Sequence, residues 1–312
     1  MRTRRRRRWL LKQPRLGARM CQGTFFFISG EKKMNEKREY DLIAFDMDGT
    51  LLNSEKQISE RTLKAIDRAV EAGKIVILNT GRGPAELKEY LPILPKVRYI
   101  NGLSGGLVYD RTDNRRVYER EFSPETVRKI LGIGTQEDAM IHFLTDRSVV
   151  QMDQWARMDH YGMGQYQAMF ARVAERWENI CEQYFADPFP IDKLNLYHAT
   201  AEGRARTEKR LRDAGIELEM AEAETTSLEL SPVGANKGSG LRALCEFLNL
   251  PVERTIAVGD ADNDRQALET AGLAVAMGNA TPEIKALCDV VVADCDHDGC
   301  VEAIEKYLLG ED

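Results

Sequence analysis

Asp41-Leu42-Ile43-Ala44-Phe45-Asp46-Met47-Asp48-Gly49-Thr50 is the stretch from which the rest of the chain can be read. Four apolar residues run into two carboxylates one residue apart, then Gly-Thr. A short apolar run closed by a Gly-containing turn is the pattern of a strand buried on both faces. Successive side chains of a strand alternate, so Asp46 and Asp48 share one side. The spacing predicts that they sit together at the strand's carboxyl end, where open α/β sheets bind ligands. Like charges that close call for a cation or a shared proton. Gly49 permits the tight turn behind them. Taken alone, the stretch also fits an ordinary strand entering a solvated acidic loop, so the flanking segments have to decide.

Downstream, residues 58–72 carry helical spacing in Leu63, Ile66, Ala69 and Val70, with Ser59 as N-cap and Gly73 as stop. Lys74 to Leu78 reads as a second buried strand, ending in Asn79-Thr80-Gly81-Arg82. Strand, helix and strand in this rhythm make a βαβ unit and imply parallel pairing. A short helix over 84–91, a third strand over 97–100 ending in Asn101-Gly102, and a hairpin around 112–114 follow. The texture then changes. Ser123-Pro124-Glu125 opens a helix. Strands are expected at 140–144, 148–152, 191–198 and 226–230, with a helix at 203–214 and a Met-, Tyr- and Trp-rich stretch over 152–185. From Lys237 the first style returns: helix 237–248, strand 254–260, helix 263–271, strand 273–277, helix 281–287, strand 289–293 and helix 299–309. The expected organisation is a basic extension over 1–38, a doubly wound α/β core from 39–121 and 233–312, and an inserted α+β domain over 122–232.

At 312 residues, 43% hydrophobic and 30% charged, the chain has ample material for a core. No apolar run approaches a membrane span. Residues 1–33 hold 11 of the 44 Lys+Arg and one of the 50 acids, which leaves 33 bases against 49 acids in the rest. An acidic body argues against nucleic-acid binding. The Arg-rich start reads as a nucleic-acid arm, a targeting peptide or plain disorder, and its apolar cluster Phe25 to Ile28 is too short for a secretory signal. Met34, two codons after a Gly30-Glu31 pair that can encode a ribosome-binding site, is the expected native start. An odd number of unpatterned cysteines beyond that point indicates reduced thiols and a cytoplasmic location. Cys295-Asp-His297-Asp-Gly-Cys300 lacks the usual Cys-x2-Cys zinc spacing and reads as a loop.

Four sites of chemistry then converge on one sheet edge: Asp46 with Asp48, Thr80 with Gly81, Lys237, and Asp260 with Asp264. Three carboxylates suit a hard cation with oxygen ligands, Mg²⁺ above all. A lysine, a threonine hydroxyl and backbone N–H groups suit a phosphoryl group. No Walker-type Gly-x4-Gly-Lys-Ser/Thr is present. The bland reading is preferred for Trp155, Tyr161, Tyr166, Phe170 and Trp177 as core of the insertion. Arg82 is read as structural and Asp262 as a solvated loop acid. No spacing singles out His142, His160 or His198.

Asp46-Met-Asp48-Gly-Thr50, Asn79-Thr80-Gly-Arg82, Asn236-Lys237-Gly and Gly259-Asp260-Ala-Asp-Asn263-Asp264 resemble, in order, the four signatures of the haloacid dehalogenase superfamily. Asn101-Gly102, Gly-x-x-Lys-Gly over 234–238 and Asp298-Gly299 are similar to its Cof-like phosphatases. The resemblance implies a Rossmann-like core with a cap in the second insertion position, consistent with a single helix over 49–79 and a long insertion between Thr80 and Lys237. It also implies a Mg²⁺-dependent phosphatase for small phosphorylated metabolites, such as sugar phosphates or phosphorylated cofactors. In that scheme Asp46 is the nucleophile and Asp48 the acid/base. Mg²⁺ lies on Asp46, the Asp48 carbonyl and Asp260. Thr80, Gly81, Lys237 and Asn263 hold the phosphate, and Asp264 supports Lys237 or a metal-bound water. A phosphomutase or phosphotransferase would share these motifs. A non-catalytic regulator would not need Asp48.

Overall fold

The computed structural model describes residues 39–221 and 225–311; the basic extension and the expected start at Met34 lie outside the described residues. β1 (Leu42–Phe45) is buried on both faces. Behind it the chain turns at Gly49, whose φ of +85° lies in the left-handed region that glycine enters without a steric penalty. A Cβ there would also meet an Asp260 carboxylate oxygen at 2.5 Å, so the turn brings the two chain segments into contact. Helix Glu60–Glu71 starts where expected, with Ser59 Oγ accepting the Thr62 N–H at 3.1 Å. β2 (Ile75–Asn79) and β3 (Tyr99–Gly102) continue the parallel sheet, and β4 (Leu107–Asp110) and β5 (Arg115–Glu119) add an antiparallel hairpin at its edge.

A second sheet follows in the chain: β6 (Ala139–Leu144), β7 (Ser148–Gln151), β8 (Glu175–Trp177), β9 (Lys193–His198), β10 (Glu219–Ala221) and β11 (Ser227–Ser231). Its order is β10-β11-β9-β6-β7-β8, antiparallel except for the β7–β8 pair. The chain then returns to the first sheet through β12 (Thr255–Gly259), β13 (Leu273–Ala276) and β14 (Val290–Val291), giving the order β14-β13-β12-β1-β2-β3-β4-β5.

The first sheet is covered on both faces. Ile43 and Phe45 pack with Ile66 and Ala69 of the first helix and Ile304 of the last. Leu42 and Ala44 pack on Leu241, Leu244 and Cys245 of helix Lys237–Leu248. The alternation along β1 thus carries the polar positions beyond it toward the helix that begins at Lys237. That helix has the bounds expected of it. Asn236 Oδ1 accepts the Ser239 N–H at 2.9 Å, and Ser239 Oγ accepts the Asn236 N–H at 3.0 Å, a reciprocal cap. Asn101 Nδ2, at the end of β3, donates to Lys237 O at 2.8 Å and Asn79 Oδ1 at 2.6 Å, which ties three elements to one point.

Three local expectations need correction. Residues 84–90 form a run of turns rather than a helix. Glu86 and Tyr90 donate their N–H groups three residues back, to Gly83 and Leu87. The Glu86 side chain caps the Gly83 N–H at 2.9 Å, and Pro92 supplies no donor. The last strand spans only Val290–Val291. The stretch 152–185 contains β8 and helix Ile180–Ala186, which its uneven apolar spacing concealed. The five aromatics of that stretch divide between two cores. Tyr161 and Phe170 pack with Trp155 and Tyr166, and Trp177 joins the opposite face of the second sheet. Among the described residues no helix is long and apolar enough to cross a membrane.

Candidate active site

Asp46 follows the last residue of β1 and is buried. Its Oδ1 accepts from Lys237 Nζ at 2.5 Å, and the same ammonium donates to Asp264 Oδ1 at 2.6 Å. Lys237 is fully buried, so its charge is matched by two carboxylates, as a buried ion requires. Asp264 Oδ2 accepts the N–H groups of Asp260 at 3.0 Å and Ala261 at 3.2 Å. Asp260 is held by Thr50 Oγ1 at 2.9 Å. One oxygen from each of Asp46, Asp260 and Asp264 lies within 4.8 Å of the others.

Three clustered acids against one lysine leave excess negative charge in a buried place. Burial, then the charge of Asp264, pushes the Asp46 carboxyl up to about 7, with Lys237 opposing. The same two causes, in the same order, push Asp260 up to about 6. Burial works against the Lys237 ammonium, but Asp264 and Asp46 outweigh it and raise its pKa. A divalent cation fits this donor set: the ligands are hard oxygens, and its two charges would balance the excess.

Asp48 does not join that cluster through its side chain. Arg82 grips it from two nitrogens, Nε to Oδ2 at 2.8 Å and Nη2 to Oδ1 at 2.9 Å, and Lys56 Nζ donates to Oδ1 at 2.9 Å. Burial disfavours the Asp48 charge, but Arg82 and then Lys56 outweigh it and hold the carboxyl down at about 2. The side-chain cluster therefore draws its third carboxylate from Asp264 rather than Asp48. Arg82, read as structural, is the partner of Asp48. A guanidinium at a strand end next to Thr80-Gly81 was the available signal.

Asp46, Asp48, Thr80, Gly81, Arg82 and Asn263 all line one cavity of about 710 Å³. Asp262 is exposed and pairs with Arg265 at 2.8 Å, as a solvated loop acid does. The opposite wall comes from the second sheet and its helices, including Tyr166, Met169, Phe170, Lys193, Asn195 and Glu229. Lys193 went unnoticed in the sequence. Its buried Nζ pairs with Glu229 at 2.7 Å and donates to Ser104 Oγ at 3.0 Å and Gly81 O at 3.3 Å. The signal for this wall was the alternation Lys193-Leu-Asn195-Leu-Tyr197, one polar face inside a strand that is otherwise apolar. Of the cap histidines, His142 is fully buried and His160 pairs with Asp138 at 2.6 Å on the surface.

A profile of haloacid dehalogenase-like hydrolases matches residues 43–304. The chain is 30% identical over 297 residues to the phosphatase YwpJ of Bacillus subtilis, covering 86% of this chain and 99% of that protein. It is 28% identical to 5-amino-6-(5-phospho-D-ribitylamino)uracil phosphatase YcsE of the same organism, covering 88% and 98%. A haloacid dehalogenase-like hydrolase from Bacteroides thetaiotaomicron superposes with a TM-score of 0.74 at 27% identity, covering 86% of this chain and 99% of that one. The core sheet covered by helices on both faces, the cap sheet and these likenesses agree: the chain belongs to the haloacid dehalogenase-like hydrolases, in their Cof-like branch, and is a phosphoric monoester hydrolase.

Proposed function

We propose that this chain is a Mg²⁺-dependent phosphatase that hydrolyses small phosphorylated metabolites through an aspartyl-phosphate on Asp46. The observation that carries the reading is the Asp264–Lys237–Asp46 chain opening on the shared cavity. It fixes one carboxylate oxygen of Asp46 and leaves the other as nucleophile. Asp46, the Asp48 backbone carbonyl and Asp260 would hold Mg²⁺, which would offset repulsion between the Asp46 carboxylate and the phosphate dianion.

An Asp46 oxygen forms a bond to phosphorus as the bond to the alcohol oxygen breaks. Asp48 gives that oxygen its proton, then takes one from the water that cleaves the acyl phosphate. Asp48 is ion-paired in the structure, so its acid role requires exchange of partners. The entering phosphate dianion competes for Arg82 and Lys56, and losing them lets Asp48 take up a proton. Thr80, the Gly81 N–H, Lys237 and Asn263 supply donors to the transferring oxygens. The second sheet meets the leaving group. The relative named for a phosphoribitylamino-uracil supports phosphorylated cofactors and their precursors as candidates beside sugar phosphates.

The test is phosphate release from a phosphometabolite panel with Mg²⁺ and with EDTA. Acid-quenched enzyme should carry alkali-labile phosphate on Asp46. Turnover unaffected by EDTA would overturn the metal, and phosphate transferred to a second sugar instead of water would make the protein a phosphotransferase.

A further inference from the structure

Lys193 opens β9, and its ammonium crosses from the cap sheet to the loop that follows β2. The side chain is only 1% exposed, so its charge needs a partner. Glu229 of β11 supplies one at 2.7 Å. The register sets Glu229 opposite Asn195, which makes it the diagonal neighbour of Lys193 on the same face. The remaining contacts leave the cap: Ser104 Oγ at 3.0 Å and Gly81 O at 3.3 Å. An ammonium has three N–H donors. Lys193 has one for each of these oxygens and none over for a substrate, although it lines the cavity.

Both core contacts bear on the backbone of Thr80-Gly81-Arg82. Gly81 O belongs to the peptide unit whose N–H, that of Arg82, donates to Thr80 Oγ1 at 3.1 Å. That plane is rigid and is pinned at both ends, by Lys193 and by the Thr80 hydroxyl oxygen. Thr80 O belongs to the peptide unit that carries the Gly81 N–H, and it accepts the Ser104 N–H at 3.1 Å. Ser104 and Leu103 hold φ of +56° and +53°, a conformation that residues with a Cβ keep only where contacts impose it. The bond from Lys193 to the Ser104 hydroxyl is one such contact. None of these bonds uses the Thr80 hydroxyl proton or the Gly81 N–H. The approach is also close: a Cβ on Gly81 would stand 3.3 Å from Lys193 Nζ and 3.4 Å from Ser104 Oγ.

We propose that Lys193 is a positioning residue: from the cap it fixes the two peptide planes of Thr80-Gly81-Arg82, and so aims the Thr80 hydroxyl and the Gly81 N–H at the transferring phosphoryl oxygens without touching them. This rests on the phosphatase reading and assigns a cap side chain to the phosphoryl half of the site.

A double-mutant cycle on p-nitrophenyl phosphate with Mg²⁺ tests it. Nitrophenolate leaves readily, so the rate reports on the phosphoryl donors. Lys193→Met should lower kcat by about 10–100-fold. KM should change by less than about threefold, since misaimed donors are missed chiefly in the transition state. In a Thr80→Val background the same Lys193→Met change should cost at least about fivefold less, because one of the two donors it aligns is already gone. Ser104→Ala, which keeps the Lys193–Glu229 pair, takes the place of Lys193→Met in the cycle if that variant does not fold. An unchanged kcat, a loss confined to KM, or losses that multiply in full overturn the positioning role and leave the phosphatase intact. Wild-type protein that releases no phosphate from p-nitrophenyl phosphate or from the metabolite panel overturns the phosphatase reading, and this inference with it.

Discussion

The core edge and the cap face line the same cavity but bury their polar groups in opposite ways. At the core, Lys237, Asp46 and Asp264 are buried as ions. On the cap, Asn195, Tyr197, His142 and Ser148 form a neutral hydrogen-bonded row, with the Lys193–Glu229 ion pair beside the core loop. A buried ionic group is costly but supplies a field fixed before substrate arrives, which transition-state charge can use. A neutral row supplies direction at low cost, which suits recognition. The two regions also respond oppositely to acid. Raised carboxyls in the core bind protons more readily folded than unfolded, whereas neutral His142 refuses one.

The largest test of this division is Asp46→Asn. Loss of the proposed nucleophile should cost about 10⁴-fold or more in kcat, with the fold intact by circular dichroism; a loss under tenfold would remove Asp46 from the chemistry. Next, Lys237→Met leaves Asp46 and Asp264 facing each other without their cation. Stability should fall by about 3–5 kcal/mol, read from urea midpoints. A change below 1 kcal/mol would mean that the core edge is solvated and not buried as an ionic site.

On the cap, His142 predicts a smaller effect. Its folded pKa of about 3 lies below the ordinary 6.5. Between these values the unfolded chain binds a proton that the folded chain does not, so its contribution is complete above pH 6.5 and erodes as pH falls. The ceiling is about 1.4 kcal/mol per pH unit, or about 2 kcal/mol by pH 5. His142→Gln should remove that slope, and comparing variant with wild type cancels the core carboxylates; identical slopes would show that His142 charges freely in the fold. Smallest is the cation itself. Mg²⁺ at ten times its Kd should stabilise by about 1.4 kcal/mol, and Asp260→Asn should abolish that gain. An undiminished gain in the variant would place the ion elsewhere.

Much of the core was legible because its determinants are local. An apolar run ending in acids makes a strand with ligands at its end. Helix Lys237–Leu248 has the bounds read from the sequence, and the structure shows why its start is local: Asn236 and Ser239 cap it within four residues. The turns at 84–90 were misread because Glu86 bonds back to Gly83 instead of letting the helix propagate, a competition that spacing does not reveal. The strand Glu175–Trp177 was missed because three residues carry almost no periodic signal, and its pairing partner Val149–Gln151 lies far back in the chain.

By itself the amino-acid order determined the βαβ rhythm, the four groups of polar residues at strand ends and their resemblance to one superfamily, since each depends on neighbours a few residues apart. Tertiary structure alone decided which carboxylate meets which cation. Asp46 and Asp48 are two residues apart, yet Asp46 is bonded to Lys237 and Asp48 to Arg82. Partners for a buried charge are chosen by whatever the fold brings within about 3 Å. For Asp46 that is a residue 191 positions away, and no local pattern encodes such a meeting.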